Sequence, residues 1–419
     1  MNAQAPTRGA ELAAGGRAIG IAPQWLARLW AGGINAVLDR IDAGLARGSI
    51  RLTLPDGSTR LLGGRAPGFS SEVRLLHPRA LLRLATSGSV GWYQAWDAGE
   101  WESPDPVPLF ALFMDNARTL GDTARAAGPW RLVARLNHWL KRNTRNGSLR
   151  NIHAHYDLGN DFYAAWLDPT LNYSSAIFTG ADTALEQGQR RKMEAIAARL
   201  KLAPGDSVLE IGCGWGSLAQ HLATGHGAHV NAISLSDEQL AYAGQHRNGG
   251  AGSLSFEKRD YRDVTGQFDA IASVEMVEAV GQAYWPDFLD CVARCLKPGG
   301  RAALQYISID QAMFDGYARS ADFIQTYIFP GGMLLHEGEF RRLAEERGLS
   351  WEDQHGFGLD YAETLKQWRA SFDRAVEEGR LPAGFDGRFV GLWRFYLMYC
   401  EGGFRGAGIN VSQVTLVKA

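Results

Sequence analysis

Cysteine is scarce: Cys213, Cys291, Cys295 and Cys400 are the only four in 419 residues. That number excludes a disulfide framework and fits a reducing cytosol. Cys291 and Cys295 have no second pair nearby to complete a zinc site, so they are expected in a helix core. His153-Ala154-His155 is too tightly spaced for a metal, and no metal is expected. Long apolar runs are also missing: none reaches the roughly 18 residues of a membrane span. No signal peptide is read at the start, so a cytoplasmic protein is expected. Neither charge sign is in excess. The formal net charge is −2, and nothing marks a nucleic-acid binder. Internal repeats are absent.

What is present begins with Val208-Leu209-Glu210-Ile211-Gly212-Cys213-Gly214-Trp215-Gly216, a buried-strand pattern running into a glycine-rich turn. Residues 217–223 then read as a helix. A P-loop would need Gly-Lys-Ser/Thr, which is missing. A dinucleotide fingerprint would need glycine where Ser217 stands. S-adenosylmethionine tolerates the pattern, and Glu210 suits a cationic amino-acid ligand better than a pyrophosphate. A ligand-free tight turn is the other reading.

Further strand patterns follow at 229–234, 254–258, 268–274 and 302–307, alternating with helices, with later candidates at 350–355 and 412–417. This alternation predicts an α/β fold with a doubly wound, Rossmann-like sheet of seven strands. Ligands in such sheets bind beyond the carboxyl ends of the strands. Glu210, Ser234, Asp260, Glu275, Glu278 and Gln305 all fall at or near that edge.

A second set of motifs narrows the reading. Upstream lie His155-Tyr156-Asp157-Leu158-Gly159-Asn160 and Tyr173-Ser174-Ser175-Ala176. Downstream lie Ser273-Val274-Glu275-Met276-Val277-Glu278-Ala279-Val280-Gly281 and Tyr327-Ile328-Phe329-Pro330-Gly331-Gly332, then Tyr361 and Phe404-Arg405. With the glycine turn, these resemble the cyclopropane fatty acid synthase family in order and spacing, over roughly residues 150 to 419. The resemblance implies a methyltransferase sheet with helical cap insertions. It implies S-adenosylmethionine held by Tyr173 and Ser174 at the carboxylate, Gly212 and Gly214 at the methionine part, Ser234 and Gln239 at the ribose, and Asp260 and Tyr261 at the adenine.

The implied reaction is attack of a cis double bond in a phospholipid acyl chain on the sulfonium methyl. A carbocation results, and loss of a proton from the new methyl closes a cyclopropane. Aromatic faces can stabilise such a cation, and Tyr156, Tyr173, Tyr306, Tyr327 and Tyr361 are candidates. The family's base is a bound bicarbonate. Glu278 and Tyr361 match two of its ligands, and Ile307 keeps a backbone contact. Ser175 stands in place of the family's Cys, and Gln305 in place of its His. Both can still hydrogen-bond an anion. If the anion is lost, the cation can shift a hydride and end as a methylene- or methyl-branched chain. A catalytically silent lipid-binding protein is the third reading.

The expected division is a mobile tail over 1–20, an α+β lipid-engaging domain with a basic linker helix over 21–145, and the methyltransferase domain over 146–419. Residues 22–46 read as an amphipathic helix, 50–62 as a β-hairpin with an Asp56-Gly57 turn, and 88–93 as a loop. Residues 126–156 carry no acidic residue, and mix Arg131, Arg135, Lys141 and Arg142 with Trp130, Leu136 and Trp139. Such a segment either lies on an anionic bilayer or is an ordinary amphipathic linker. Late aromatics (Phe314 to Phe329, Trp368 to Phe404) either wall an acyl tunnel or form core. The resemblance adds a homodimer, peripheral on the inner membrane face.

Overall fold

The computed structural model describes residues 8–10, 12, 31–121, 158–180, 183–246 and 250–419. Most of the tail, the segment 126–156 with His155 and Tyr156, and the expected boundary at 145–146 lie outside the described residues. The chain forms two compact units from interleaved segments. The first takes Met1–Lys141, Ala312–Pro330 and Ala383–Ile409. The second takes Arg142–Gln311, Gly331–Pro382 and Asn410–Ala419. The division is therefore not a single cut.

In the first unit, helix α1 (Ala31–Gly44) precedes strands β1 (Ser49–Thr53), β2 (Thr59–Gly63) and β3 (Ser70–Leu75). The β1–β2 hairpin turns at Asp56-Gly57, where Gly57 has φ +84° and the Asp56 carboxylate accepts from the Ser58 amide at 2.9 Å. Helix α2 (Arg79–Asp97) and strand β4 (Trp101–Glu102) follow, giving the sheet order β2-β1-β3-β4. The loop expected at 88–93 is instead the second half of α2. The helix kinks at Gly88 (φ +57°, ψ −137°) and resumes. A β-carbon at Gly91 would lie 2.0 Å from the Arg83 carbonyl oxygen, so glycine there serves helix packing rather than a turn.

Helix α3 (Val107–Asp115) completes this part of the unit. The inserted segments add helix α4 (Gln311–Ala318), a π-turn (Ile324–Ile328) and helix α5 (Gly387–Arg405). Their aromatics pack on one another as core. Tyr93 meets Phe323, Tyr327 and Phe395 at ring distances of 5.0, 4.8 and 5.1 Å. The Tyr327 hydroxyl accepts from Gln94 at 3.2 Å, so Tyr327 serves this unit's interior and not a cation.

The second unit is built on a seven-stranded mixed sheet flanked by helices. Its strands are β5 (Ser207–Ile211), β6 (His229–Ser234), β7 (Ser253–Lys258), β8 (Phe268–Val274), β9 (Leu296–Ile309), β10 (Leu349–Gly356) and β11 (Ile409–Lys418). The order is β10-β11-β9-β8-β5-β6-β7. Strands β5 to β9 pair in parallel, with Val208 opposite Val230 and Ala270, and β10 pairs antiparallel to β11. The chain leaves β5 toward β6 and returns on its other side as β8. A crevice therefore opens beyond the carboxyl ends of β5 and β8.

Helix α6 (Leu185–Leu200) and helix α7 (Ser217–Gly225) cover this sheet. Their apolar stripes, Met193-Ile196-Ala197-Leu200 and Leu218-Ala219-Leu222, pack on Val208, Val230 and Ala270. Each fully buried Leu, Ile or Val contributes about 1.5–3 kcal/mol. Cys291 and Cys295 are buried in helix α8 (Trp285–Cys295). Helix α9 (Gly358–Glu377) brings Tyr361 to the sheet edge.

Candidate active site

The glycine turn behaves as its sequence demands. Gly212 has φ +84° and Gly214 φ +51°, both left-handed. A β-carbon on Gly212 would meet Met276 Cγ at 2.6 Å, whereas one on Gly214 would meet nothing within 4 Å. The first glycine packs the turn; the second leaves its backbone open to a ligand. Tyr173, Ser174, Gly212, Gly214, Ser234, Gln239, Asp260 and Tyr261 all line a single cleft beside this turn. Ser234 Oγ lies 3.3 Å from Gln239 Oε1, and Ser236 caps the following helix through the Gln239 amide. The Asp260 carboxylate is itself engaged by Arg262 at 2.5 and 2.8 Å.

Glu210, next to last in β5, has its side chain in this cleft. It is 3% exposed, and its Oε2 has no hydrogen-bond partner. Burial pushes its pKa up to about 8, against the pull of Lys192. An orphaned buried acceptor beside an open glycine turn fits a cationic amino-acid ligand, and S-adenosylmethionine fits the residues present. Because such a ligand demands the ionised carboxylate, its affinity is expected to rise up to about tenfold per unit from pH 6 to near 8. Calorimetry in buffers of different ionisation enthalpy should show proton release. Affinity flat across that window would remove Glu210 from the binding reaction. The same raised carboxyl makes the ligand-free protein less stable as pH climbs from 4.5 to about 8.

Beneath the cleft lies a polar cluster that sequence reasoning located only in part. Its hub is Glu275, at the end of β8, rather than Glu278. Glu275 Oε1 accepts from the Ser175 amide at 2.9 Å and from Gln305 Nε2 at 2.7 Å. Its Oε2 accepts from the Tyr361 hydroxyl at 2.6 Å. Burial raises the Glu275 pKa, and these three donors oppose the rise. The residue has φ +48°, a left-handed conformation that costs a non-glycine residue about 1–2 kcal/mol. Such strain at a cleft points to a role for the side chain.

Glu278 sits apart. One oxygen accepts from the Ile307 amide, and the buried Oε2 has no partner. Burial, then the charge of Glu275, pushes its pKa up to about 8. Two neighbouring carboxyls with unequal donors divide their proton unequally. The three donors on Glu275 favour its ionised form against the burial that raises its pKa, whereas Glu278, pushed up to about 8, holds a proton at neutral pH.

The bicarbonate expectation meets an obstacle here. The Ser175 amide, Gln305 Nε2 and Tyr361 hydroxyl are all turned on Glu275. The Ser175 hydroxyl donates to the Ala176 carbonyl at 2.9 Å. An added anion would face two carboxyls with its donors already engaged. These residues do not fit bicarbonate.

Lys192 of α6 is a residue the sequence reading left unremarked. It is 1% exposed and donates to Ser174 Oγ at 2.6 Å and Asn172 Oδ1 at 3.1 Å. Burial pulls its pKa down to about 8, opposed by Glu275, Asp168 and Glu210. Of the aromatic candidates, Tyr173 lines the cleft, packed on Trp368 at 5.2 Å. Tyr306 is buried with its hydroxyl on Glu337 at 2.9 Å, so it serves the core. Glu194, His221 and His226 form the one group with metal-ligand spacing among the described residues; none of the three lines the cleft.

Known proteins match this architecture. The sequence profile described as mycolic acid cyclopropane synthetase matches residues 143–414. Tuberculostearic acid methyltransferase UfaA1 of Mycobacterium tuberculosis is 35% identical over 392 residues, covering 88% of each chain. Cyclopropane-fatty-acyl-phospholipid synthase of Escherichia coli is 33% identical over 362 residues, covering 84% of this chain and 88% of its own. Among solved structures, mycolic acid cyclopropane synthase CmaA1 complexed with SAH and CTAB superposes with a TM-score of 0.61 at 28% identity, over 64% of this chain and 98% of its own.

Proposed function

The chain belongs to the mycolic acid cyclopropane synthetase family and is an S-adenosylmethionine-dependent methyltransferase of unsaturated fatty-acyl chains; from this premise we propose that it methylates a phospholipid acyl chain, that Glu275 takes the proton, and that the product is a methyl- or methylene-branched chain rather than a ring. The observation that carries this reading is the convergence of three donors on Glu275.

When bound, S-adenosylmethionine supplies an electrophilic methyl group. The turn at Gly212–Gly214 and Glu210, which line the cleft, would hold its amino-acid end. The electron pair of the double bond forms the new carbon–carbon bond as the carbon–sulfur bond breaks, leaving a cation on the adjacent acyl carbon. The rings of Tyr173 and Tyr361 stand beside the cluster that must relieve it. Loss of a proton from the next acyl carbon to the Glu275 carboxylate leaves its bonding electrons as the double bond of a methylated olefin; after a 1,2-hydride shift to the cationic carbon, loss of a proton from the new methyl to Glu275 gives the methylene-branched chain. Ring closure in the family relies on a seated anion, and the donors for that anion are engaged here. The name of the Escherichia coli relative favours a phospholipid substrate, and the family resemblance adds that it is reached at an anionic membrane surface. The family resemblance alone adds a homodimer on the cytoplasmic face. No described helix is long and apolar enough to cross a membrane.

A second reading keeps the cyclopropane. The retained contact of Glu278 with the Ile307 amide and the retained Tyr361 favour it. Proton NMR separates the two. The protein would be incubated with S-adenosylmethionine and vesicles of defined cis-monounsaturated phospholipids, and the fatty acids released and examined. Olefinic or exomethylene protons with a one-carbon mass gain are expected. Upfield ring protons with loss of the vinyl signal would sink the branched product.

A further inference from the structure

Glu275 is the visible end of a longer chain of hydrogen bonds. Gln305 Nε2 donates to Glu275 Oε1 at 2.7 Å, and Gln305 Oε1 accepts from Gln413 Nε2 at 3.0 Å. Gln413 Oε1 in turn accepts from Arg199 Nε at 3.1 Å. Gln305 and Gln413 are each 1% exposed, on strands β9 and β11. Arg199, near the end of α6, is half-buried, and its guanidinium also reaches the Asp353 carbonyl.

The ends of this chain have fixed polarity. A guanidinium can only donate, and an ionised carboxylate can only accept. Two amides between such ends satisfy every bond in one direction alone. Side bonds enforce the same direction: the second hydrogen of Gln305 Nε2 goes to the Ser175 carbonyl at 3.3 Å, and that of Gln413 Nε2 to the Lys192 carbonyl at 3.4 Å. Turning either amide over would set oxygen against carbonyl oxygen. We infer that Gln413, with Arg199 behind it, is a positioning residue: it locks the amide of Gln305 so that nitrogen, and never oxygen, faces Glu275. The relay thereby favours ionised Glu275, the form able to take a proton. This rests on the assignment of Glu275 as the proton acceptor.

The telling variant is Gln413→Glu. Its carboxylate would pair with Arg199, yet it could satisfy Gln305 only by turning that amide over, presenting Gln305 Oε1 to Glu275. The acid limb of the kcat–pH profile, measured on cis-monounsaturated phosphatidylglycerol vesicles, is expected to move up by about one pH unit or more. Activity at the alkaline plateau should be kept. Gln413→Met, which keeps length without polarity, should lose about tenfold in kcat at neutral pH, recover part of it at high pH, and keep its KM for S-adenosylmethionine. Near-native circular dichroism and melting separate this from misfolding, and Gln413→Met decides the matter if Gln413→Glu does not fold. An unshifted acid limb in folded Gln413→Glu, or wild-type kcat with an unmoved limb in Gln413→Met, overturns the relay. Turnover by Glu275→Gln would instead overturn the premise, so the two failures are told apart.

Discussion

Glu275→Gln is expected to lower kcat by about 10²–10⁴-fold while S-adenosylmethionine still binds. Glutamine keeps the shape of glutamate and one acceptor oxygen. It cannot take a proton, and its NH2 must face a donor, the Ser175 amide and Gln305 Nε2 on one side or the Tyr361 hydroxyl on the other. Single-turnover assay on unsaturated vesicles, with cofactor affinity measured separately, checks it; wild-type turnover would end the assignment of Glu275 as base. A companion variant sharpens the test. Glu275→Gly suits the left-handed backbone at φ +48° and relieves about 1–2 kcal/mol of local strain. It also frees three donors around a space the size of a carboxylate. Added formate is therefore expected to restore part of the activity in Glu275→Gly and none in Glu275→Gln, whose side chain still fills that space.

The parts of this molecule legible in its sequence are those written in short-range pattern. The strand at 207–211 and its glycine turn needed only local periodicity and residues free to adopt positive φ. All eight residues assigned to the cofactor lie along the cleft, because a parallel sheet delivers its carboxyl ends to one edge. The proton acceptor was not legible in the same way. Glu275 was placed at that edge, but its partners come from 100, 30 and 86 residues away. Its strain shows only in the backbone. The glycines at 88 and 91 misled in the other direction, since glycine marks a helix kink and a close approach as readily as a loop. Lys192 offered a signal that went unused. It falls in the stripe Gln189, Lys192, Met193 and Ile196, the 3.6-residue spacing of a buried face, and a lysine at such a position is seldom solvated.

Lys192→Met tests that reading of the stripe. Met matches the length of the lysine stem and should pack in its place, so the loss is chiefly that of the charge. Asp168, Glu210 and Glu275 all act on this ammonium, and without it they share a desolvated region with no compensation from that side. Removing one partner from a buried ionic group costs about 3–5 kcal/mol when the remaining charge stays in place. The carboxyls have an escape, which is to hold protons. A carboxyl whose folded pKa is raised keeps its stabilising contribution below the unfolded value, 4.5 for Glu210, and loses it as pH rises through the folded value, about 8 or higher once the lysine is gone. The penalty is therefore expected to be larger at pH 8 than at pH 6, where Glu210 retains its proton. Lys192 itself carries nearly all of its charge at pH 6 and about half of it at pH 8, its pKa being near 8. Urea denaturation of both proteins at the two pH values measures the difference. A loss below about 1 kcal/mol, or one that does not change with pH, would mean the ammonium is not what holds the carboxyl cluster together.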